Sequence, residues 1–375
     1  MRSIVEKAVK KAAAKVQPKA SSKEENIDRT LKDSMPKIMV VGCGGAGNNT
    51  IARMYEVGIT GARTLAINTD AQQLKNTKAD SRILIGKKLT NGLGAGSQPD
   101  VGEAAARENL QDLKDELKGS DLVFVTCGLG GGTGTGSAPV VAEIARELGA
   151  LTIAVVTIPF TVEGRRRTDN ALDGLSKLRK SVDTIILVPN DKLLEVAPDL
   201  PIKSAFKIAD EILTNAVKGT VELITKPGLI NLDFADLRTI LTRCGPAMIG
   251  LGESSRDSSI ESRALDAVED ALTSPLLDVD ISEASRALVN VSGGSDMTLK
   301  EAEMVVEAVA SKINPSAHII WGAVVDESSN KNTIQAMVII GGGRISYLDA
   351  LNQSPGEREE KASGKRKADL DLDYV

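Results

Sequence analysis

The sequence contains few aromatic residues, one histidine and three cysteines. Phe, Trp and Tyr make up 2% of the 375 residues, so the core must consist of Ala, Val, Ile and Leu, as in sheets covered by helices. Cys43, Cys127 and Cys244 form no CxxC pair, which disfavours a disulfide framework and predicts reduced thiols. The single histidine, His318, lies in an apolar segment. We therefore predict a structural role for it and neither histidine-based catalysis nor a zinc site.

The sequence also lacks segments that would cross a membrane or bind nucleic acid. No apolar run approaches the roughly 18 residues of a transmembrane helix, and the basic N-terminal segment has no apolar stretch typical of a secretory signal. The net charge is −5, and no basic domain stands out that would suggest nucleic-acid binding. These absences predict a cytoplasmic protein.

Glycine, in contrast, is concentrated in a few short segments. Residues 128–137 contain six glycines, directly after the apolar run 121–126 and before a helical pattern. A glycine-rich turn between a strand and a helix lets a ligand approach the backbone, and the helix N-terminus adds a positive end. The segment therefore predicts phosphate binding; a flexible linker would not lie between a buried strand and a helix.

Two further glycine segments precede it. Gly42, Gly44 and Gly47 form a GxGxxG motif after the strand pattern 37–41, and a third loop covers 91–97. The motif alone also fits a dinucleotide-binding Rossmann unit, and Asp70 after the second strand does not exclude that alternative. Three glycine loops at one crevice favour a triphosphate over a pyrophosphate. No GxxxxGK[ST] motif occurs, so the phosphates would lack the lysine of a P-loop.

Strand and helix patterns alternate along the first half of the chain. Strands are predicted near 37–41, 63–67, 82–85, 121–126, 151–157 and 183–188, and helices at 47–57, 101–117, 137–148 and 168–181. This order predicts an α/β fold with a doubly wound, mainly parallel Rossmann-like sheet. The glycine loops follow strands, at the carboxyl edge where such sheets bind ligands.

A long helix is predicted from about Lys203 to Ile224, ending at Pro227-Gly228. Beyond it, a second, smaller α/β domain is predicted, with four strands at 247–251, 286–291, 318–325 and 333–340 and helices at 259–273 and 298–312. At the N-terminus, we predict a partly ordered solvated extension; a membrane-surface helix is the alternative.

The octet GGGTGTGS, Gly130–Ser137, resembles the signature loop of the tubulin and FtsZ superfamily of GTPases, and the resemblance to FtsZ covers 36–350. It implies GTP as substrate, GDP as product, and Mg²⁺ held mainly by phosphates and water with no protein metal site. The implied organisation is an N-terminal extension 1–36, a GTP-binding domain 37–202, a central helix 203–226, a C-terminal α/β domain 227–350, and a linker and C-terminal peptide 351–375. The C-terminal segment differs from bacterial FtsZ tails that end in basic residues, which suggests an archaeal source.

The resemblance also assigns individual nucleotide contacts. Glu163 is expected to bind the ribose, Arg167 to lie near the phosphates and Asn190 near the nucleoside, while Phe206 stacks on guanine and Asp210 accepts from its edge. For Phe206 the alternative is core packing. Asp70 is expected to help order Mg²⁺ through water. The expected loop contacts are Gly44, Gly45, Ala46, Gly47, Asn48, Asn49, Gly94, Ala95, Gly96, Gly131, Gly132, Thr133, Gly134 and Thr135.

The motif NxDxxD, at Asn231, Asp233 and Asp236, follows the long helix. In isolation the two aspartates are typical of a solvated helix start, whereas the resemblance implies that they orient the attacking water. They lie roughly 20–30 Å from the pocket, past the far end of the helix, so we expect them to act on the nucleotide of a neighbouring subunit. Such a head-to-tail contact builds a filament unless it closes into a ring.

The resemblance leaves the biological role open between two alternatives. The first is the prokaryotic cell-division ring, at the inner face of the membrane. The second is a related tubulin-like GTPase with a scaffold or cell-shape role. The segment 369–375 alternates Leu with Asp and is predicted to bind a membrane adaptor or division protein.

Overall fold

The structure is a computed structural model that describes residues 35–196, 201–226, 228–230, 232–254, 262–277, 280–325 and 332–343. Most of the N-terminal extension, the C-terminal peptide and Asn231 lie outside the described residues. None of the described helices is both long enough and apolar enough to cross a membrane.

The described strands form a single ten-stranded sheet in the order β3-β2-β1-β4-β5-β6-β7-β10-β8-β9. All neighbouring pairs are parallel except those of β10 with β7 and β8. The strands are β1 Ile38–Cys43, β2 Ala62–Asn68, β3 Ser81–Leu84, β4 Leu122–Gly128, β5 Leu151–Ile158, β6 Thr184–Pro189, β7 Gly245–Glu253, β8 Arg286–Gly293, β9 His318–Val325 and β10 Ile334–Gly341.

Helices cover both faces of this sheet. They are α1 Gly44–Val57, α2 Ala71–Asn76, α3 Lys87–Thr90, α4 Pro99–Glu108, α5 Leu110–Leu117, α6 Thr133–Glu147, α7 Arg165–Ser181, α8 Asn190–Val196, α9 Ile202–Thr225, α10 Phe234–Leu241, α11 Arg263–Thr273 and α12 Leu299–Lys312. The doubly wound α/β architecture and the long helix, here α9, are thus confirmed.

The central strands are apolar along their whole length because both of their faces are buried. In β1, Met39 and Val41 contribute to one apolar core, while Ile38 and Val40 contribute to the other. Strands that are buried on both faces do not alternate apolar with polar residues, so they occur in the sequence as continuous apolar runs.

The chain reverses its direction of winding between β1 and β4. It adds β2 and β3 on one side of β1, then returns to pair β4 with β1 and continues through β5 and β6. The carboxyl ends of β1 and β4 therefore open a crevice at this switch point, the usual ligand position in such sheets. Two of the glycine segments follow these two strands.

The strands of the C-terminal half extend the same sheet. Thr184–Leu187 of β6 pairs in parallel with Gly245–Met248 of β7, and β7 then pairs antiparallel with β10. The sequence patterns predicted the strands of each half but not the pairing that joins them. The domain boundaries given above remain predictions.

His318 begins β9 and is exposed. No cluster of three or more His, Cys, Asp or Glu side chains that could hold a metal ion occurs in the described part of the chain.

Candidate functional site

A cavity of about 340 Å³ lies at the switch point of the sheet. This volume is within the range of small-molecule sites. Its lining residues come from both glycine-loop helices, the following loops and the start of α9, and they are Cys43, Gly45, Ala46, Asn49, Asn68, Asp70, Gln73, Gly94, Gly128, Leu129, Gly131, Gly132, Thr133, Gly134, Thr157, Pro159, Glu163, Arg167, Asn190, Phe206, Ala209 and Asp210.

Two helices begin at this cavity without a side-chain cap. The residue before α1 is Cys43, whose side chain makes no capping hydrogen bond. The residue before α6 is Gly132, which has no side chain to cap the helix. The first N–H groups of each helix have no intrahelical acceptor. Both helices therefore present N–H donors and a positive dipole end to the same cavity, an arrangement suited to a polyphosphate.

Glycine is required where these two helix starts meet. Gly44 has φ +70°, and a Cβ added to it would lie 2.6 Å from the backbone N of Gly134. Any larger residue would separate the two loops. The helices also start earlier than the sequence predicted, at 44 and 133 instead of 47 and 137, because the low helix propensity of glycine hides the first turn.

The segment after β2 forms another wall of the cavity. Asp70 Oδ1 accepts from the backbone N of Gln72 and Gln73, at 2.9 and 3.0 Å, and so caps α2. Asn68 Nδ2 donates to Gln73 Oε1 at 3.0 Å. Asp70 also lines the cavity, so one of its carboxylate oxygens holds α2 in place at the cavity wall.

The opposite end of the cavity is formed by the start of α9. Phe206 is 42% exposed and packs edge-on against Phe160, with ring centroids 5.3 Å apart. Asp210, one turn further, accepts from Thr50 Oγ1 at 3.3 Å. Burial raises the pKa of the Asp210 carboxyl to about 6, and the Thr50 hydrogen bond opposes this shift. An exposed ring beside a carboxylate suits stacking on a base and hydrogen bonding to its edge.

Three further polar residues, Glu163, Arg167 and Asn190, line the cavity. Glu163 Oε2 forms an ion pair with Arg167 Nη1 at 2.5 Å, and Glu163 Oε1 accepts from the N of Phe160 at 2.8 Å. Asn190 is 4% exposed, and its Oδ1 has no hydrogen-bond partner. A buried amide oxygen without a partner is costly unless a ligand satisfies it.

Six of the residues expected to contact nucleotide do not line the cavity; they are Gly44, Gly47, Asn48, Ala95, Gly96 and Thr135. Three of them, Asn48, Thr135 and Gly47, support the glycine loops through contacts with the backbone. Asn48, oriented to satisfy its donors, bonds the carbonyls of Gly42 and Ile67 at 3.0 and 3.2 Å. Thr135 Oγ1 accepts from the N of Gly130 at 2.9 Å. A Cβ at Gly47 would lie 2.4 Å from the Thr126 carbonyl, so this glycine lets α1 pack on β4.

Sequence reasoning missed eight of the lining residues; they are Cys43, Asn68, Gln73, Gly128, Leu129, Thr157, Pro159 and Ala209. Most of them lie at or just beyond the carboxyl ends of strands: Cys43, Asn68 and Gly128 are the last residues of β1, β2 and β4. The rule that α/β sheets bind ligands at these ends could have identified them. Burial raises the pKa of the Cys43 thiol to about 12, so this cavity-lining cysteine is a neutral wall residue at ordinary pH.

Asp233 and Asp236 lie at the opposite edge of the sheet. Both are exposed at the start of α10, and neither has a side-chain partner among the described residues. Arg238 of the same helix donates to the carbonyl of Gly149 at 3.1 Å. Gly149 precedes β5, whereas Thr157 near the end of β5 lines the cavity. Eight strand residues at about 3.3 Å each separate the two edges by roughly 25 Å.

The helix α10 is held in this position from a second side. Arg286, the first residue of β8, donates through Nη1 to the carbonyls of Ile240 and Thr242, at 2.8 and 2.7 Å. A guanidinium at the last carbonyls of a helix also complements its dipole. Interactions with Gly149 and with β8 thus fix α10 relative to both halves of the sheet.

Comparison with known proteins identifies the family of this fold. Residues 37–198 match the model of the Tubulin/FtsZ family, GTPase domain, and residues 245–344 match that of the FtsZ family, C-terminal domain. Cell division protein FtsZ 1 of Methanocaldococcus jannaschii is 56% identical over 331 residues, which are 88% of this chain and 90% of that protein. The chain belongs to the FtsZ family.

Other FtsZ proteins from archaea agree over most of the chain. Cell division protein FtsZ of Methanothermobacter thermautotrophicus is 52% identical over 368 residues, covering 96% of this chain and 95% of that protein. A solved structure described as an empty FtsZ dimer of M. jannaschii has a TM-score of 0.81 and 56% identity, covering 86% of this chain and 93% of that one. The resemblance inferred from the glycine loops is thereby confirmed.

Proposed function

We propose that this FtsZ-family chain binds GTP in the cavity at the switch point and hydrolyses it to GDP and phosphate within a head-to-tail filament. The observation that carries the proposal is that the uncapped N-termini of α1 and α6 meet at one cavity, which is closed at its other end by Phe206 and Asp210. Phosphate donors and a guanine-binding wall are thus the two ends of one site.

Different lining residues would bind different parts of the nucleotide. Backbone N–H groups of the two glycine loops would bind the phosphates, as in other helix N-terminal sites. The Asp210 carboxylate would accept from guanine N1–H and N2–H₂, a pattern that adenine does not offer. Asn190 Oδ1 and the Glu163–Arg167 pair also line the cavity, and they would contact the ribose and inner phosphates.

A magnesium ion fits this site only as part of the nucleotide complex. Among the described residues, no cluster of three or more carboxylate, thiol or imidazole side chains is available to hold it. The phosphates and water would therefore supply most ligands, with Asp70 nearby. The ion would neutralise phosphate charge during the reaction.

Hydrolysis in this proposal requires a second subunit. Water attacks the γ-phosphorus, the bond from phosphorus to the β,γ-bridging oxygen breaks, and GDP leaves. The Asp233 and Asp236 carboxylates of the next subunit would accept hydrogen bonds from the attacking water and orient it. They are exposed at the sheet edge opposite the cavity, which is where a head-to-tail neighbour would present them. Asn231, which completes the motif, lies outside the described residues.

The surface around the cavity mouth supports such a contact. Leu93 is 85% exposed and Val162 is 81% exposed. Each is next to a lining residue, Gly94 and Glu163 respectively. Removing apolar side chains from water favours association, and a second copy of the chain would cover these two as it delivers its aspartates. The solved M. jannaschii FtsZ structure is a dimer, which agrees with self-association.

At the cellular level we propose a role in the division ring on the inner face of the membrane, as the names of the relatives suggest. Recruitment through residues 369–375 remains a prediction, since this segment lies outside the described residues.

The proposal is tested by sedimentation and phosphate release with GTP, GDP or NAD. We expect pelleting with GTP, little with GDP and none with NAD. Phosphate release per chain should rise with protein concentration, because the complete site exists only between two molecules. GTP turnover that is independent of concentration would contradict hydrolysis in trans, and binding of NAD in place of GTP would contradict the nucleotide assignment.

A further inference from the structure

Thr69, a residue that the sequence did not assign to the site, contacts the start of α6 through its hydroxyl. Its Oγ1 lies 2.6 Å from Thr133 Oγ1. Thr69 is fully buried, with 0% of its surface exposed, while Thr133 lines the cavity. The hydroxyl pair therefore has one member in the cavity wall and the other directly behind it.

The backbone of Thr69 is bonded to the other walls of the cavity. Its N–H donates to Asn68 Oδ1 at 2.9 Å. Its carbonyl accepts from the N of Gly94 at 3.2 Å and from Thr90 Oγ1 at 3.4 Å. Gly94 belongs to the glycine loop 91–97 and also lines the cavity. One buried residue thus joins the loop at α6 through its side chain and the loop at 91–97 through its main chain.

The direction of the proton in the hydroxyl pair depends on the ligand. Either oxygen can be the donor in the structure. A phosphate oxygen only accepts, so a Thr133 hydroxyl that donates to phosphate must accept its second hydrogen bond from Thr69. The order Thr69 to Thr133 to phosphate then has a single direction, and successive hydrogen bonds of this kind strengthen one another.

We propose that Thr69 is a positioning residue that orients the Thr133 hydroxyl toward the phosphates of bound GTP. It also holds this hydroxyl at a fixed position relative to the loop that contains Gly94. The proposal rests on the proposed function, since it takes a nucleotide phosphate as the acceptor. Thr69 itself touches no ligand, and its effect passes through Thr133.

A double-mutant cycle on GTP affinity tests this role. Thr69→Val keeps the branched shape but removes the hydroxyl, and we expect it to weaken GTP binding about five- to tenfold. Thr133→Val should weaken binding at least as much. The double variant should bind as Thr133→Val does, because Thr69 has nothing left to orient. Thr69→Ser retains the hydroxyl and should restore affinity to near the wild-type value.

A matched control is available in β4, two strands from β2 in the sheet. Thr126 in β4 is also fully buried, but its Oγ1 has no hydrogen-bond partner. Thr126→Val should leave GTP affinity unchanged. Losses that add in the Thr69→Val/Thr133→Val double variant, or an equal loss in Thr126→Val, would show that Thr69 is only a packing residue and overturn the proposal.

Inorganic tripolyphosphate as a second probe separates this inference from the proposed function. A wild-type chain that binds tripolyphosphate but not GTP would overturn the guanine assignment, and the same cycle on tripolyphosphate would still decide the role of Thr69. GTP binding that is unchanged in Thr69→Val would overturn the inference and leave the proposed function intact. Failure of the wild-type chain to bind either probe would overturn both.

Discussion

At the scale of single residues, Asp210 makes the cavity sensitive to pH. Burial raises its pKa to about 6, and guanine needs its ionised form as an acceptor. We therefore expect GTP affinity to be constant well above pH 6 and to fall as the pH drops through this value, by at most about tenfold per pH unit. Isothermal titration of GTP at pH 7.5, 6.5 and 5.5 would measure the decline.

Asp210→Asn is the reference for this prediction, because the terminal phosphate of GTP also titrates near neutral pH. The amide cannot ionise, so the variant should bind GTP more weakly at pH 7.5, discriminate less against ATP, and retain only the pH dependence of the phosphate. Parallel pH profiles for the wild type and Asp210→Asn would contradict the assignment of Asp210 to the guanine edge.

The sequence and the family resemblance predicted cavity-lining residues in the glycine loops and on α9, and missed lining residues whose positions depend on packing. The glycine runs are evident from the sequence itself, whereas Phe206 and Asp210 were predicted from the resemblance to the FtsZ family. Gln73 lines the cavity and Thr69 is buried behind its wall. Both are ordinary polar residues whose positions depend on how the segment after β2 packs against α6. No local pattern encodes such a tertiary contact.

At the scale of elements, the junction of α1 and α6 determines whether the site can form. Gly44 has φ +70°, and a Cβ there would lie 2.6 Å from the N of Gly134. We expect Gly44→Ala to abolish measurable GTP binding and to lower the free energy of unfolding by about 2–4 kcal/mol, from combined backbone strain and steric overlap. Urea denaturation and GTP titration of the purified variant would measure both effects.

Gly58→Ala separates these two causes. Gly58 has a similar φ of +75°, but a Cβ there has no neighbour within 4 Å. This variant should lose only about 1 kcal/mol of stability from backbone strain and bind GTP normally. Equal behaviour of the two variants would mean that the contact between the two glycine loops does not matter.

The elements themselves were largely predictable, but their ends and their pairing were not. The predicted strands agree with the structure because two-sided burial produces continuous apolar runs. The first turns of α1 and α6 were missed because glycine gives no helical signal. Pairing of β6 with β7 joins segments that are more than 50 residues apart, and its register depends on the packing of α9 and α10 between them.

At the scale of the whole molecule, the cavity and the aspartates of α10 lie at opposite edges of the sheet. Leu93, 85% exposed, lies at the edge of the sheet that holds the cavity, and Asp236 lies at the opposite edge. We expect Leu93→Asn to reduce GTP-dependent pelleting and to lower turnover at a given protein concentration, without changing GTP affinity of the monomer. Leu265→Asn on α11, where Leu265 is 40% exposed, is a control and should polymerise normally. Equal pelleting of Leu93→Asn and the wild type would argue against a contact at the cavity mouth.

Complementation between two inactive chains gives the most direct test of the filament model. Asp236→Ala has an intact cavity and should bind GTP normally but hydrolyse almost none, so its filaments should persist. Gly134→Val has an intact Asp236 but a displaced glycine loop at the start of α6, because a Cβ at Gly134 would lie 2.9 Å from the carbonyl of Cys43.

In an equal mixture of the two variants, about a quarter of random head-to-tail contacts would join an intact cavity to an intact Asp236. Phosphate release should therefore reappear on mixing, although each variant alone is nearly inactive. Its rate should depend on the proportion of the two chains and be greatest near equal amounts. A mixture no more active than its components, together with full GTP turnover by a monomer that cannot assemble, would require the water-orienting group to lie within one chain. The distance between the cavity and α10, set by the length of β5, makes that arrangement inaccessible to Asp233 and Asp236.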